Sequence, residues 1–161
     1  MKILKCAFPL MLVLLFALAV AACAQQPTVP TPTGSGSTPT ATNSSHALLN
    51  TATATVKGAS KTILTNAQGL TLYYRTSDKP PSKVCSGGCA GAWPPLLFTG
   101  SGTPTSSTQL PGKLTVVVDA NGNQVEYHGH PLYTFASDTA PGQTNGEGVG
   151  GIWFVATPDL H

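Results

Sequence analysis

The sequence predicts an all-β domain, a small sandwich or barrel built from two tandem repeats, preceded by a signal peptide and a disordered linker. Three observations lead to this prediction. The 161 residues include 17 glycines and 14 prolines, and long helices tolerate neither residue. Short β-branched and aromatic runs alternate with turn sequences such as Asn121-Gly122. One part of the chain also matches another part at a fixed spacing of 60 residues.

The amino end has the pattern of an export signal. Lys2 and Lys5 precede an uncharged, apolar segment that reaches Ala22, which is the order of a secretory signal peptide. A transmembrane anchor is the alternative, but this run of about 16 apolar residues is shorter than the roughly 20 that span a bilayer. We therefore predict a signal peptide over residues 1–22.

The end of this segment, Val20-Ala21-Ala22-Cys23, resembles the lipobox of bacterial lipoproteins. The resemblance implies that Cys23 receives a covalent diacylglycerol and becomes the first residue of the mature chain. Cleavage at an Ala-x-Ala-like site without lipid is the alternative, but a lone thiol on an exported chain favours lipidation. We expect an extracytoplasmic protein that is lipid-anchored to the bacterial cell membrane, with no cofactor other than this lipid.

The next segment has the composition of a linker. Residues 24–45 are rich in Thr, Pro and Ser, carry no charge, and contain one aliphatic side chain larger than Ala, Val29. Such a segment cannot bury enough apolar surface to offset its ordering entropy. We predict a tether over residues 23–51 and a folded domain over residues 52–161.

The charge balance limits the classes of partner. Eight basic residues include Lys2 and Lys5, so the chain after residue 22 has six basic and six acidic residues and no net charge. A neutral domain has no electrostatic basis for binding nucleic acid. The expected partners are the membrane, through the lipid anchor, and a polymer or protein of the cell envelope.

The predicted strands follow from β-branched and aromatic runs between turn residues. Asn66-Ala67-Gln68-Gly69 is a turn sequence whose glycine suits a positive φ. No stretch shows an apolar period of 3.6 residues, as a helix would. The predicted strands are Thr53–Val56, Thr62–Thr65, Leu70–Tyr74, Leu114–Asp119, Gln124–Tyr127, Leu132–Phe135 and Ile152–Ala156.

The internal match indicates a duplication, with copies near residues 62–97 and 114–156. Nine of 25 positions are identical when residues 69–93 are aligned without gaps on residues 129–153. Two copies predict a pseudo-symmetric domain in which each half covers the apolar face of the other. The identical pairs are Gly69/Gly129, Leu72/Leu132, Tyr73/Tyr133, Ser77/Ser137, Asp78/Asp138, Pro81/Pro141, Gly88/Gly148, Gly91/Gly151 and Trp93/Trp153.

The shared residues allow two interpretations. Their side chains either line a binding surface or form the core and turns of the repeat, and the second is the more common role of buried aromatic residues. Each aspartate would close a strand and accept N–H bonds of the next turn. The candidate residues are Tyr73, Asp78, Trp93, Tyr133, Phe135, Asp138 and Trp153.

The segments that start at Tyr73 and Tyr133 resemble the family of predicted secreted bacterial lipoproteins with a repeated Y-x-[FWY]-x-x-D motif. The second copy matches it fully, and the first has Arg75 where the motif has an aromatic residue. The Cys85 to Leu96 segment is also similar to the family's cysteine-and-WPP segment. The resemblance covers about residues 62–156; it implies an exported lipoprotein and carries no established activity.

The remaining cysteines and histidines offer the only candidate chemistry. Cys85 and Cys89 form an even pair in an oxidising location, which predicts a structural disulfide. A redox dithiol is a second interpretation, although C-x3-C is not the thioredoxin spacing. The third is a zinc or copper site that adds His128 and His130 to the two thiolates, although Gly129 and Pro131 place those histidines on a turn.

Catalysis has little support in the sequence. The chain contains neither a Gly-x-Ser-x-Gly elbow nor a phosphate-binding loop. Asp78 and Asp138 would form a carboxylate pair only if the two halves faced each other. We therefore expect a non-enzymatic protein with a binding or structural role, and a metal or redox carrier is the alternative.

Overall fold

The computed structural model of the chain describes residues 47–161. The predicted signal peptide, the lipidation site Cys23 and the greater part of the tether lie outside the described residues. The described part is mostly β, as predicted, and its strands do not close into a barrel. Among these residues, no helix combines the length and the apolar character needed to cross a bilayer.

Seven short strands and two short helical turns make up the domain. The helical pieces are α1 and one turn of 3₁₀ helix, and the two occupy equivalent places in the two repeats. In chain order the elements are β1 (Leu49–Val56), β2 (Ala59–Asn66), β3 (Tyr73–Arg75), α1 (Gly88–Ala92), β4 (Leu114–Asp119), β5 (Gly122–Tyr127), β6 (His130–Pro131), the 3₁₀ turn (Val149–Gly151) and β7 (Trp153–Val155).

Several boundaries differ from the predicted ones. β1 begins at Leu49, inside the segment predicted as tether, because Leu49 is fully buried and its N–H bonds the carbonyl of Thr105. The predicted strand Leu132–Phe135 is wrong: only Tyr133 of these residues forms isolated β-bridges, because residues 132–134 bond to several different segments rather than to one neighbour. α1 was not predicted, because its glycine-rich sequence has no helical period.

Two antiparallel hairpins begin the two repeats. β1 pairs with β2, and β4 pairs with β5 across the two-residue turn Ala120-Asn121. The turn predicted at Gly69 is present: Gly69 has φ +82°, and Asn66 Oδ1 accepts the N–H groups of Gln68 and Leu70. Turn chemistry in the sequence therefore predicts the reversals at residues 66–69 and at residues 120–122 correctly, whereas the turn between β1 and β2 was not predicted.

The two repeats exchange their closing segments, residues 93–97 and 153–157. Ala156, from the second repeat, bonds to Leu64 and Leu72 of the first. The three residues form a closed ring: Leu64 N–H donates to Ala156 O (2.8 Å), Ala156 N–H to Leu72 O (2.8 Å), and Leu72 N–H to Leu64 O (2.9 Å). Each repeat therefore receives a backbone segment from the other.

The same ring occurs in the other half with the roles of the repeats reversed. Val125 N–H donates to Leu96 O (2.8 Å), Leu96 N–H to Leu132 O (2.9 Å), and Leu132 N–H to Val125 O (3.0 Å). Here Leu96 comes from the first repeat and its two partners from the second. Between the rings Tyr73 and Tyr133 exchange backbone bonds of 2.8 and 3.0 Å, so the pseudo-twofold axis passes between them.

Side-chain alternation along the strands divides the interior into two cores. Leu72 and Tyr73 are adjacent and both fully buried, but they belong to different clusters because successive side chains point to opposite faces. One core holds the tyrosines and tryptophans of the motif. The other holds aliphatic residues, with Leu49, Leu64, Leu72, Val125, Leu132 and Ala156 among its buried members.

Candidate functional site

The motif tyrosines and aspartates bond to each other across the two repeats. The hydroxyl of Tyr73 donates to Asp138 Oδ2 at 2.5 Å, and the hydroxyl of Tyr133 donates to Asp78 Oδ2 at 2.6 Å. Both tyrosines are fully buried, Asp138 is 4% exposed, and the side chain of Asp78 is 1% exposed. Asp78 and Asp138 therefore join the two halves, and Asp138 also accepts the backbone N–H of Asn145 from a turn that follows it.

Each tyrosine oxygen also accepts a backbone N–H. Gly146 N–H donates to the oxygen of Tyr73 at 3.2 Å, and Cys85 N–H donates to that of Tyr133 at 3.1 Å. A Cβ on Gly146 would lie 2.8 Å from ring atoms of both Trp93 and Tyr73, so this approach requires glycine. Both phenols are thus fixed by a donor and an acceptor from distant parts of the chain.

The tryptophans form the centre of a four-membered stack. The rings of Trp93 and Trp153 lie parallel, with centroids 3.8 Å apart and an interplanar angle of 3°. Phe135 stacks on the outer face of Trp93 at 4.3 Å, and the guanidinium of Arg75 lies 5.6 Å from the ring of Trp153. Trp93 and Trp153 are 5% and 4% exposed, so the stack is part of the core and contributes large apolar area.

Arg75 performs two functions where the motif has an aromatic residue. It caps the stack as Phe135 does at the other end, and its Nε and Nη2 both contact Asp78 Oδ1 at 2.5 Å. In the second copy Phe135 offers no donor, and Asp138 Oδ1 instead accepts from the backbone and side-chain amides of Asn145, at 3.1 and 2.9 Å. Arg75 therefore takes the place of the motif's aromatic residue in the stack and also binds the motif aspartate of its own repeat.

The predicted disulfide is confirmed. Cys85 and Cys89 are joined at the start of α1, with their Cα atoms 5.4 Å apart. Arg75 Nη1 lies 3.9 Å from Cys89 Sγ, so the disulfide packs beside the Arg75–Asp78 pair. The disulfide closes the loop of residues 85–89, at whose start the N–H of Cys85 donates to the hydroxyl oxygen of Tyr133.

The structure does not assemble the four residues of the predicted metal site. The two cysteines are in the disulfide, and within residues 47–161 no group of three or more His, Cys, Asp or Glu side chains is placed to hold a metal ion. His128 and His130 lie at the predicted turn between strands, where their rings bond the carbonyls of Leu160 (2.8 Å) and His161 (3.2 Å).

Comparison with known protein families gives one result. Residues 54–97 and residues 115–157 each match a family described as a secreted repeat of unknown function, and the two matches cover more than half of the chain. The chain belongs to this family. Its two family repeats coincide with the two halves that exchange closing segments, and the description places the protein outside the cytoplasm. Neither the curated proteins nor the solved structures that were compared contain a match to the chain.

Several polar residues of these secreted repeats were missed by the sequence argument. Gln124 is fully buried and its Nε2 donates to Leu132 O at 3.1 Å, while Asn121 Nδ2 bonds Gln124 Oε1 and Cys85 O. Glu126 is 5% exposed, and burial raises the pKa of its carboxyl. The sequence gives no signal for them, because the alternation of Gln124 and Glu126 with Val125 and Tyr127 predicts that the two polar side chains are exposed, whereas both faces of β5 are buried here.

Two cavities among the described residues lie away from the motif. One of about 570 Å³ is lined by Lys61, Thr62, Thr157, Pro158 and Asp159. Another, of about 310 Å³, lies between residues 102–104 and residues 113–116. Neither is lined by a motif tyrosine, aspartate or tryptophan.

The buried tyrosines predict loss of stability in alkali. Burial and the bonds to Asp138 and Asp78 raise the pKa values of Tyr73 and Tyr133 far above the ordinary value near 10. The unfolded chain ionises first, so stability is complete below pH 10 and decreases above it. Above pH 10 we expect the free energy of unfolding, measured with urea, to decrease with each pH unit. The decrease should be about 1.4 kcal/mol for each of these two tyrosines, or about 2.7 kcal/mol for both.

Tyr133→Phe provides the control for this titration. The slope of its unfolding free energy against pH should be smaller by about 1.4 kcal/mol per pH unit, because Tyr133 no longer links proton release to unfolding, while Tyr73 and Tyr74, whose pKa values burial also raises, still do. Absorbance at 295 nm should show that the phenols of Tyr73 and Tyr133 ionise only as the chain unfolds. Both phenols titrating near pH 10 in the folded protein would contradict the assignment.

Proposed function

We propose that this protein is a lipid-anchored, non-enzymatic module of the cell envelope, with a binding or structural role. The observation that supports this most strongly is that both motif carboxylates are used inside the core. Asp78 and Asp138 each accept hydrogen bonds on both oxygens, from a tyrosine of the other repeat and from Arg75 or Asn145. A carboxylate held in this way is a structural acceptor and is poorly suited to act as a general acid or base.

The anchor in this proposal is a diacylglycerol on Cys23. The apolar segment before it, the small residues Ala21 and Ala22, and the uncharged Thr- and Pro-rich segment after it support this assignment. More than one acyl chain holds a protein stably on a membrane. The tether would then present the folded domain at a distance from the lipid surface.

Variants of two cysteines test the anchor. Cys23→Ala should move the protein from the membrane fraction to the soluble extracytoplasmic fraction, and intact mass spectrometry of the membrane-extracted wild type should show the acyl chains on Cys23. Cys6→Ala is the matched control, because Cys6 would leave with the signal peptide, and its product should fractionate like the wild type. A Cys23→Ala protein that still sediments with membranes would contradict the anchor.

The partner in this proposal is an envelope polymer or a neighbouring protein, and the zero net charge of the chain after residue 22 argues against nucleic acid. The test is co-sedimentation of the detergent-extracted protein with purified envelope polymer, together with crosslinking in intact cells. Retention by either would support a binding role. A protein that neither sediments with polymer nor crosslinks to any envelope component would count against it.

A further inference from the structure

Among the described residues the outer edge of β4 is unpaired along its length. His128 N–H bonds Lys113 O, and the bonding alternates along the β4–β5 ladder, so Leu114, Val116 and Val118 direct their N–H and C=O groups away from β5. Within residues 47–161 no hydrogen bond reaches these backbone groups from the outer side. The outer edge of β1 is bonded near its two ends, at Leu49 by the backbone of Thr105 and Ser107 and at Thr55 by the hydroxyl of Thr144.

This edge is also apolar and is bordered by an open groove. Val118 is 73% exposed, the most exposed large hydrophobic side chain described, and Val116 and Val117 are half-buried. The groove of about 310 Å³ runs beside the first half of β4, with Gly102, Thr103 and Pro104 as its opposite wall. A long apolar edge strand with free backbone groups accepts another strand unless it is covered.

We propose that the occupant of this edge is β4 of a second copy of the chain, paired antiparallel. Only registers that place outward-facing residues opposite one another satisfy the backbone groups of both strands. The register centred on Val116 does this for the whole strand: Val116 faces Val116 of the second copy, and Leu114 faces Val118. It would form about six backbone hydrogen bonds, two for each facing pair.

The charges at the two ends of β4 favour this register. It places Lys113 of each copy opposite Asp119 of the other, on the same face of the new sheet, so two opposite-charge pairs form together. Among the described residues the ion pairs are Lys57–Glu147 and Arg75–Asp78, so neither Lys113 nor Asp119 has a counter-charge. Lys113 is exposed, whereas Asp119 is half-buried: its Oδ1 accepts the N–H of Asn121 at 2.7 Å, and its Oδ2 is buried without a hydrogen-bond partner. An arbitrary peptide would match the backbone groups but would have no reason to carry these two charges.

Crosslinking of the full chain in detergent tests the register. With Val116→Cys, mild oxidation should give a disulfide-linked dimer, because facing Cα atoms of such a pair lie about 5.5 Å apart, within disulfide reach. Ser60→Cys, on the exposed part of β2, is the matched control and should stay monomeric. The wild type carries the same Cys6 and Cys23 and measures any dimer formed through them. Equal crosslinking at residues 60 and 116, or none at either, would overturn the proposal.

Charge reversal tests the same register without depending on one variant. Lys113→Asp or Asp119→Lys, in the Val116→Cys background, should weaken dimerisation about tenfold, since two favourable pairs become two like-charge pairs. A mixture of the two single variants, tagged to differ in size, should recover a crosslinked dimer that contains one of each. Because the two residues are about 20 Å apart along one strand, they cannot restore each other within a chain.

The mixing experiment distinguishes a second copy of the chain from another partner as the occupant of the β4 edge. Recovery in the mixture, with little dimer in either single variant, supports the self-paired edge. A chain that stays monomeric throughout, or one that crosslinks at residue 116 to a different protein, assigns the edge to another partner and overturns the proposal. The result is independent of the lipid anchor, because neither variant alters Cys23.

Discussion

Replacing Trp153 with alanine is expected to lower the free energy of unfolding by about 4 kcal/mol. Trp153 is 4% exposed and lies between the parallel ring of Trp93 and the guanidinium of Arg75. Its loss would leave a cavity at the pseudo-twofold axis, bordered by elements of both repeats. Domains of this size are stable by about 5–15 kcal/mol, so the variant should lose a large share of the stability of the domain. Urea unfolding followed by circular dichroism measures the loss.

Phe154→Ala is the matched control for this prediction. Phe154 is the next residue on β7, is half-buried, and points to the other face of the strand, beside Lys57. Its replacement should lower the free energy of unfolding by about 1–2 kcal/mol, since the half-buried ring buries less apolar surface than Trp153 does. Equal urea midpoints for the two variants would show that the tryptophan stack does not have the central role assigned to it.

Asp138→Ala is expected to lower the free energy of unfolding by about 3 kcal/mol, because several buried donors would lose the carboxylate that accepts their hydrogen bonds. The hydroxyl of Tyr73 would lose its acceptor inside the core, and both amides of Asn145 would lose theirs. The unfolding midpoint in urea measures the change. Asp159→Ala, at an exposed carboxylate, should change stability by no more than about 0.5 kcal/mol. A similar small change at Asp138 would contradict the structural role of the motif aspartate.

Much of the fold follows from local sequence chemistry. The glycine- and asparagine-containing turns, the β-branched strand Leu114–Asp119, and the close cysteine pair predict features that depend on neighbouring residues, and these are present with the expected positions. The 60-residue repeat likewise predicts two equivalent halves, which the family matches and the paired hydrogen-bond rings both show. Turn propensity and internal similarity are both readable without knowing tertiary contacts.

The exchange of closing segments cannot be predicted from local sequence in this way. The identity of Trp93 with Trp153, or of Tyr73 with Tyr133, shows which positions of the two repeats are equivalent. It does not show whether each repeat keeps its own closing segment or exchanges it with the other, because the equivalent positions are the same in both arrangements. The choice depends on which backbone segment completes each three-residue ring, and this is a property of the folded chain. The contact of Arg75 with Trp153 of the other repeat likewise depends on the folded chain, whereas its contact with Asp78 is local.

The exchange also explains why the motif residues occupy the core. A single repeat has a strand that lacks its closing neighbour and a tyrosine hydroxyl that lacks its acceptor, and the other repeat supplies both. Repeats of this kind cannot bury their apolar face alone. We therefore interpret the repeated tyrosine, aspartate and tryptophan as the residues that join two halves into one module.

The most direct test of this interpretation is the coupling energy of Tyr73 with each motif aspartate in a double-mutant cycle. Exchanged repeats predict that Tyr73→Phe and Asp138→Asn couple by about 1–3 kcal/mol in urea unfolding, whereas Tyr73→Phe and Asp78→Asn add within about 0.5 kcal/mol. Strong coupling of Tyr73 to Asp78 of its own repeat, with none to Asp138, would contradict the exchanged arrangement.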